Sequence, residues 1–146
     1  MRIRPAVVIV ENNKVMLMRY SYSGKDVYQF PGGNTEEVET LEETLARELM
    51  EELNLPISVG KLIISAQVVN SKKQQATLHC LFEGVILNLV KPAINAEETS
   101  ALEVVWIDIN ELGKLNLYPS VGVKLKEVIH SNASFQYLGL IEQPWY

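Results

Sequence analysis

Seventeen residues, EEVETLEETLARELMEE at 36–52, hold eight glutamates against the one Arg47. Within them Glu48, Glu51 and Glu52 stand three and four apart, a spacing that sets three carboxylates on one side of a helix. Like charges so placed cost about 0.2–0.5 kcal/mol per pair when nothing offsets them. Glu51 and Glu52 also fall in the last turns, where the helix macrodipole disfavours anions by about 0.3–1 kcal/mol each. A hard divalent cation removes both penalties, since Mg2+ takes oxygen ligands, commonly one or two carboxylates together with waters and substrate phosphates. The chemistry on offer is therefore metal-assisted work on a phosphate. The competing reading is a solvated acidic face.

The elements that must hold these carboxylates are marked on both sides. Val38, Leu41, Leu45, Leu49 and Leu53 recur at spacings of three and four and predict one amphipathic helix from Val38, which Pro56 stops. Upstream, VYQF (27–30) reads as a short strand entering Pro31-Gly32-Gly33. That turn lets the backbone approach a ligand closely, which makes Gly33 a candidate substrate contact. IRPAVVIVE (3–11) and KVMLMRY (14–20) predict two strands joined in a hairpin by Asn12-Asn13. Downstream, the β-rich runs 58–69 and 75–90 flank a polar turn, 91–100 is a polar connection, 101–109 returns to strand, and 121–130 has helical spacing. Strands before, between and after two helices predict an α/β (α+β) fold with a mixed sheet sandwiched between helices.

A chain of 146 residues is expected to form a single domain over 1–146. With 47% apolar and 21% charged residues it is neither a disordered chain nor a membrane-spanning one. The net charge of −5 argues against a nucleic acid polymer as partner. The apolar run after Arg4 is too short for a signal-peptide core, and the lone Cys80 cannot form an internal disulfide, so the expected compartment is the cytoplasm. Cys80 and His79 sit in an apolar run and are read as sheet residues. The tail FQYLGLIEQPWY (135–146) is too aromatic for a solvated terminus and is expected to pack on the domain or on a second subunit, which leaves a homodimer open.

The residues from Gly33 onward fall into a fixed order: five residues, Glu39, seven residues, Arg47-Glu48-Leu49, one residue, Glu51-Glu52, one residue, Asn54-Leu55. This resembles the Nudix box, G-x5-E-x7-R-E-U-x-E-E-x-G-U with U aliphatic. Asn54 replaces the last glycine, and asparagine is the usual substitute where a helix end needs a left-handed residue. Tyr28 to Gly33 resembles the family's strand entry to the box. Glu97-Glu98, then Val105 to Asp108 and Asn110 to Leu112, resemble its later acidic loop, strand and short helix.

The resemblance implies attack of water on a phosphorus of a nucleoside diphosphate derivative, assisted by Mg2+ or Mn2+. By matching positions, Glu48 and Glu52 are the metal ligands expected first, then Glu51, with the Gly32 carbonyl as a further oxygen. Arg47 is expected to orient the cluster by bridging to Glu39. The general base is expected at Glu98, then Glu97, with Glu51 or Glu52 as substitutes. Arg4 and Arg19, on adjacent strands, are candidates for phosphate or ribose contacts against the alternative of ordinary surface charge. Neither the proline nor the tyrosine that marks certain branches occurs at Asn70 to Lys73, past the box. The small size fits a MutT-like hydrolase of (d)NTPs or another small nucleotide. The rival reading from a different class is a Nudix-fold module that senses a nucleotide without turnover. An isoprenoid diphosphate isomerase would need a cysteine better placed than Cys80.

Overall fold

The computed structural model describes residues 1–132 and 134–146. The hairpin expected at the start is present, β1 (Arg2–Glu11) and β2 (Lys14–Tyr22), with Asn12 and Asn13 both at positive φ in the turn. β3 (Lys25–Gln29) continues antiparallel to β2 and leads into the Pro-Gly-Gly turn. After helix α1 (Leu41–Leu53) come β4 (Ile57–Asn70) and β5 (Gln75–Ile86), an antiparallel pair, then β6 (Glu103–Asp108). A 3-10 helix (Ile109–Lys114), the short β7 (Leu117–Tyr118), α2 (Gly122–Ser131) and β8 (Gln136–Leu140) complete the chain.

The sheet is mixed, in the order β7-β3-β2-β1-β5-β4-β8, with β6 also on β2. β1 lies parallel to β5 from Arg2↔Thr77 to Ile9↔Gly84 but meets β2 only near the hairpin, at Val10↔Val15 and Glu11↔Lys14. Successive side chains of β1 therefore feed two cores. Ala6 and Val8 join Leu125 and Val128 of α2, whereas Val7 and Ile9 join Leu45, Leu49 and Leu53 of α1. Helices cover both faces, as the alternation of elements predicts. No helix among the described residues is long and apolar enough to cross a membrane.

Two boundaries differ from the sequence expectation. Val38 is 94% exposed and lies outside the helix, which begins after Thr40. The cause is a capping box: the Thr40 hydroxyl accepts from the Glu43 N–H, and the Glu43 carboxylate accepts from the Thr40 N–H, both at 3.1 Å. The T-x-x-E signal at 40–43 outweighs one further apolar residue at the right spacing. The run expected as strand to Val90 ends at Ile86, because its partner β4 begins at Ile57, opposite Ile86, and Asn88 and Leu89 then turn at positive φ. The aromatic tail packs on its own chain, with β8 parallel to β4 and Leu138 and Ile141 against the α2-side core.

Candidate active site

The acidic helix is held at both ends and pressed into the sheet through Leu45, Leu49 and Leu53, all fully buried. Burial of each such leucine is worth about 1.5–3 kcal/mol. At its C-terminus Asn54 takes the left-handed conformation, φ 50° and ψ 38°, the conformation in which asparagine stands in for glycine. Its side-chain amide donates to the Ala93 carbonyl at 3.2 Å, a contact glycine lacks.

Arg47 is the hub of the polar face. Its Nε and Nη2 donate to the two oxygens of Glu39 at 2.7 and 2.9 Å, the bridge expected from the box. Nη2 also reaches the Asn34 carbonyl, while Nη1 donates to Glu48 at 3.0 Å and to Glu51 at 3.1 Å. Glu39 accepts further from the Thr44 hydroxyl and the Glu36 N–H. These donors, Arg47 foremost, hold the Glu39 carboxyl down at about 2. The same carboxylates push the Arg47 pKa up. One guanidinium thus ties Asn34 and Glu39 of the loop before α1 to Glu48 and Glu51 of the helix.

Glu52 has no such contact with Arg47. It is half-buried, and burial first, then the neighbouring charge of Glu48, pushes its carboxyl up to about 7 against a weaker opposing effect of Arg4. Among the described residues no three His, Cys, Asp or Glu side chains converge on a point at metal-binding distance. Glu48 and Glu51 share Arg47 Nη1, while the Glu48 carboxyl stays beside that of Glu52. The donor set itself fits a hard divalent ion, being carboxylate oxygens on one helical face with too little positive charge around Glu52.

The Pro-Gly-Gly turn is fastened to β1 by Val7 N–H to Pro31 O at 2.8 Å and Gly33 N–H to Pro5 O at 3.2 Å. A Cβ on Gly33 would overlap the Glu48 carboxyl, and one on Gly32 would overlap the Pro5 carbonyl oxygen. Gly32 is thus required by its close approach to backbone, and Gly33 brings backbone against a box carboxylate.

The polar loop after β5 docks on the end of α1 through Ala93 N–H to Leu53 O at 2.9 Å and Asn95 N–H to Glu52 O at 2.8 Å. Glu97 and Glu98 follow at once and are exposed, with their N–H groups capped by Asn95. Glu98 therefore stands on a loop tied to the backbone of Glu52. Tyr20, which sequence reasoning passed over, hydrogen-bonds Thr99 of this loop at 3.3 Å; its pKa is raised by burial and also by the charge of Glu52. The signal was available in the alternation Met16, Met18, Tyr20, which puts all three on the α1 side of β2.

The two arginines part company. Arg4 is partly buried, its Nη1 has no protein partner among the described residues, and its charge acts on Glu52 as well as on Tyr118 and His79. Arg19 alternates with Met18 and Tyr20, faces the other side of the sheet, and is held by Glu103 at 2.8 Å and Asp26 at 3.1 Å. It is not brought to the glutamates. His79 and Cys80 are buried in β5.

A mixed sheet between helices, carrying on one face a glutamate helix stapled to the loop before it, defines an α/β scaffold with an acidic face. Residues 1–128 match the model of the NUDIX domain, and the chain belongs to that family, whose members use divalent metal ions and act on diphosphate bonds of small nucleotide substrates. Solved structures share the fold. They include the ORF135 protein of E. coli, with a TM-score of 0.72 at 22% identity over 90% of this chain and 89% of that one. A mutator MutT protein from Bacillus halodurans gives 0.75 at 19% over 99% and 92%. An ADP-ribose pyrophosphatase from Streptococcus suis gives 0.62 at 13% over 97% and 98%.

Proposed function

We propose that this chain, as one domain, hydrolyses the diphosphate linkage of a nucleoside diphosphate derivative or a (d)NTP, with Mg2+ or Mn2+ held by Glu48, Glu52 and Glu51 and by the Gly32 carbonyl. The observation that carries the reading is the pair of unlike glutamates on one face of α1: Glu48 bonded through one oxygen to Arg47, and Glu52 half-buried beside it with no guanidinium bond. Bound there, the ion neutralises phosphate charge and lowers the pKa of water near the phosphorus. Arg47 keeps the carboxylates in register through Glu39. Gly33, its N–H already donated to Pro5, leaves room for the Glu48 carboxylate rather than donating to phosphate, and Arg4, whose Nη1 has no partner among the described residues, takes a non-bridging oxygen. Glu98 accepts the proton of the attacking water as the P–O bond to the leaving phosphate breaks. Arg19, with both neighbours anionic, has no part in this scheme.

The test is phosphate release from a mixed panel of nucleotides with Mg2+, read through a coupled pyrophosphatase, for the parent and for Glu52→Gln. The parent turns over at least one nucleotide, and Glu52→Gln loses about 100-fold or more, the scale of removing an electrostatic group from a reacting centre. Turnover within about threefold of the parent would sink the assignment. Nucleotide binding by the parent with no turnover would assign a sensor module instead.

A further inference from the structure

A cavity of about 370 Å³ opens beside Arg4, and the last residues of the chain form one of its walls. Its floor is sheet, where Arg2 and Val68 flank Thr77 across β1, β5 and β4. Facing it, β3 and β7 contribute Gln29 and Tyr118, which are register partners. The tail is fixed in place by specific bonds. Gln143 accepts from the Ser120 N–H at 2.7 Å and donates to the Leu117 carbonyl at 3.2 Å, and the Tyr146 hydroxyl donates to Asn116 at 2.8 Å. So anchored, the Trp145 ring stands 5.6 Å from that of Tyr118, tilted by 53°, yet remains 47% exposed.

The chemistry of the lining is selective. Arg2, Arg4 and Lys73 face this cavity and no carboxylate is among its described lining residues, although the chain as a whole carries −5. Aromatic rings beside cations without anions suit a planar ring that carries a negative group. The cavity volume lies in the range of small-ligand pockets. Arg4 connects it to the glutamates, since its charge is felt at Glu52 on one side and at Tyr118 on the other.

We propose that Gln143–Tyr146 form a specificity-determining wall against which the base of the nucleotide packs on Trp145, with its phosphates running past Arg4 toward Glu52. This rests on the hydrolase reading above for the direction of the phosphates. The occupancy of the pocket by a base is a separate matter, and is measurable without turnover.

The experiment titrates AMP, GMP, CMP, UMP and ribose 5-phosphate into the full chain in EDTA by calorimetry, and into Trp145→Ala and Trp145→Phe. At least one monophosphate is expected to bind tenfold or more tightly than ribose 5-phosphate. Trp145→Ala should lose about tenfold, the scale of one base–aromatic stack, and Trp145→Phe should recover most of it. In Mg2+, Trp145→Ala should raise KM for the preferred triphosphate by a similar factor with kcat within about threefold. Equal monophosphate affinity in parent and Trp145→Ala, no monophosphate binding at all, or ribose 5-phosphate binding as well as the monophosphates, would each overturn the proposal. Trp145-dependent binding without Mg2+-dependent turnover would keep the wall and remove the hydrolase reading. Turnover with KM indifferent to Trp145 would do the reverse.

Discussion

Glu48 and Glu52 share a residue type and a helical face, yet their surroundings give them different work. Glu48 accepts from Arg47 at 3.0 Å, so its charge is partly offset by a guanidinium it shares with Glu39 and Glu51. Glu52 faces burial and a like charge instead. Glu98 differs from both, being exposed on a loop hydrogen-bonded to the Glu52 carbonyl through Asn95. A carboxylate so exposed is free to swing, which suits proton transfer better than fixed ligation. Glu98→Gln is therefore expected to lower kcat by roughly 10²–10⁴ with substrate affinity similar, whereas Glu97→Gln leaves kcat within a few-fold. Steady-state kinetics on the two variants decide it. If neither falls by as much as tenfold, the base lies in the box helix.

At the scale of the element, α1 is a helix whose caps and leucines stabilise it and whose last turn opposes it. The Thr40 and Glu43 box and the left-handed Asn54 close its ends, while Glu51 and Glu52 sit against the negative end of the dipole with no basic residue in the last turn. Because Arg47 already relieves Glu48 and Glu51, the residual repulsion concentrates on Glu52. In EDTA near pH 7.5, Glu52→Gln is expected to melt a few degrees above the parent, for about 1 kcal/mol of dipole and like-charge repulsion removed. Glu48→Gln, which discards an Arg47 bond, gains nothing. The Glu52 carboxyl is raised from 4.5 to about 7 in the fold, so the native state holds a proton that the unfolded chain has released. Its contribution is thus fully present below the unfolded value and is lost as pH rises through about 7, so in EDTA the parent should nearly match Glu52→Gln at pH 5 and fall below it by pH 7.5. With Mg2+ at tenfold its Kd, the parent regains about 1.4 kcal/mol by linkage and the order narrows or reverses. Paired melts in EDTA and Mg2+ test this; a parent more stable than Glu52→Gln in EDTA at pH 7.5 would show that protein partners already satisfy that carboxylate.

Across the whole molecule, the C-terminal segment joins elements far apart in sequence. β8 adds a parallel strand to the edge of β4, Leu138 and Ile141 enter the core beneath α2, and Gln143 reaches the β7 region. Removing residues 135–146 strips one edge of the sheet and exposes apolar surface of the core. Partial burial of two large aliphatic side chains is worth about 2–3 kcal/mol. The truncated chain should then melt about 5 °C or more below the parent without ligand. An unchanged melting temperature would mean that the tail is no part of the stabilised fold.

The glutamate helix, its glycine turn and the bridging of Arg47 to Glu39 were legible in the sequence because each depends on residues within a few turns of one another. Local spacing fixes which side chains share a helical face, and alternation fixes which strand residues share a sheet face. Even there a local signal was missed, since the capping box at Thr40 starts the helix later than the leucine spacing alone suggests. What the sequence left open depends on pairings across long separations. That Arg19 turns from the glutamates follows from its alternation with Met18 and Tyr20, but that Asp26 and Glu103 hold it there depends on the pairing of β2 with β3 and β6. That Tyr20 meets Thr99, and that Trp145 meets Tyr118 over a basic cavity, follows from the docking of the loop after β5 and of the tail. Such contacts form only when the sheet order brings distant segments together, and sheet order is set by the packing of two cores on one sheet, which no local spacing encodes.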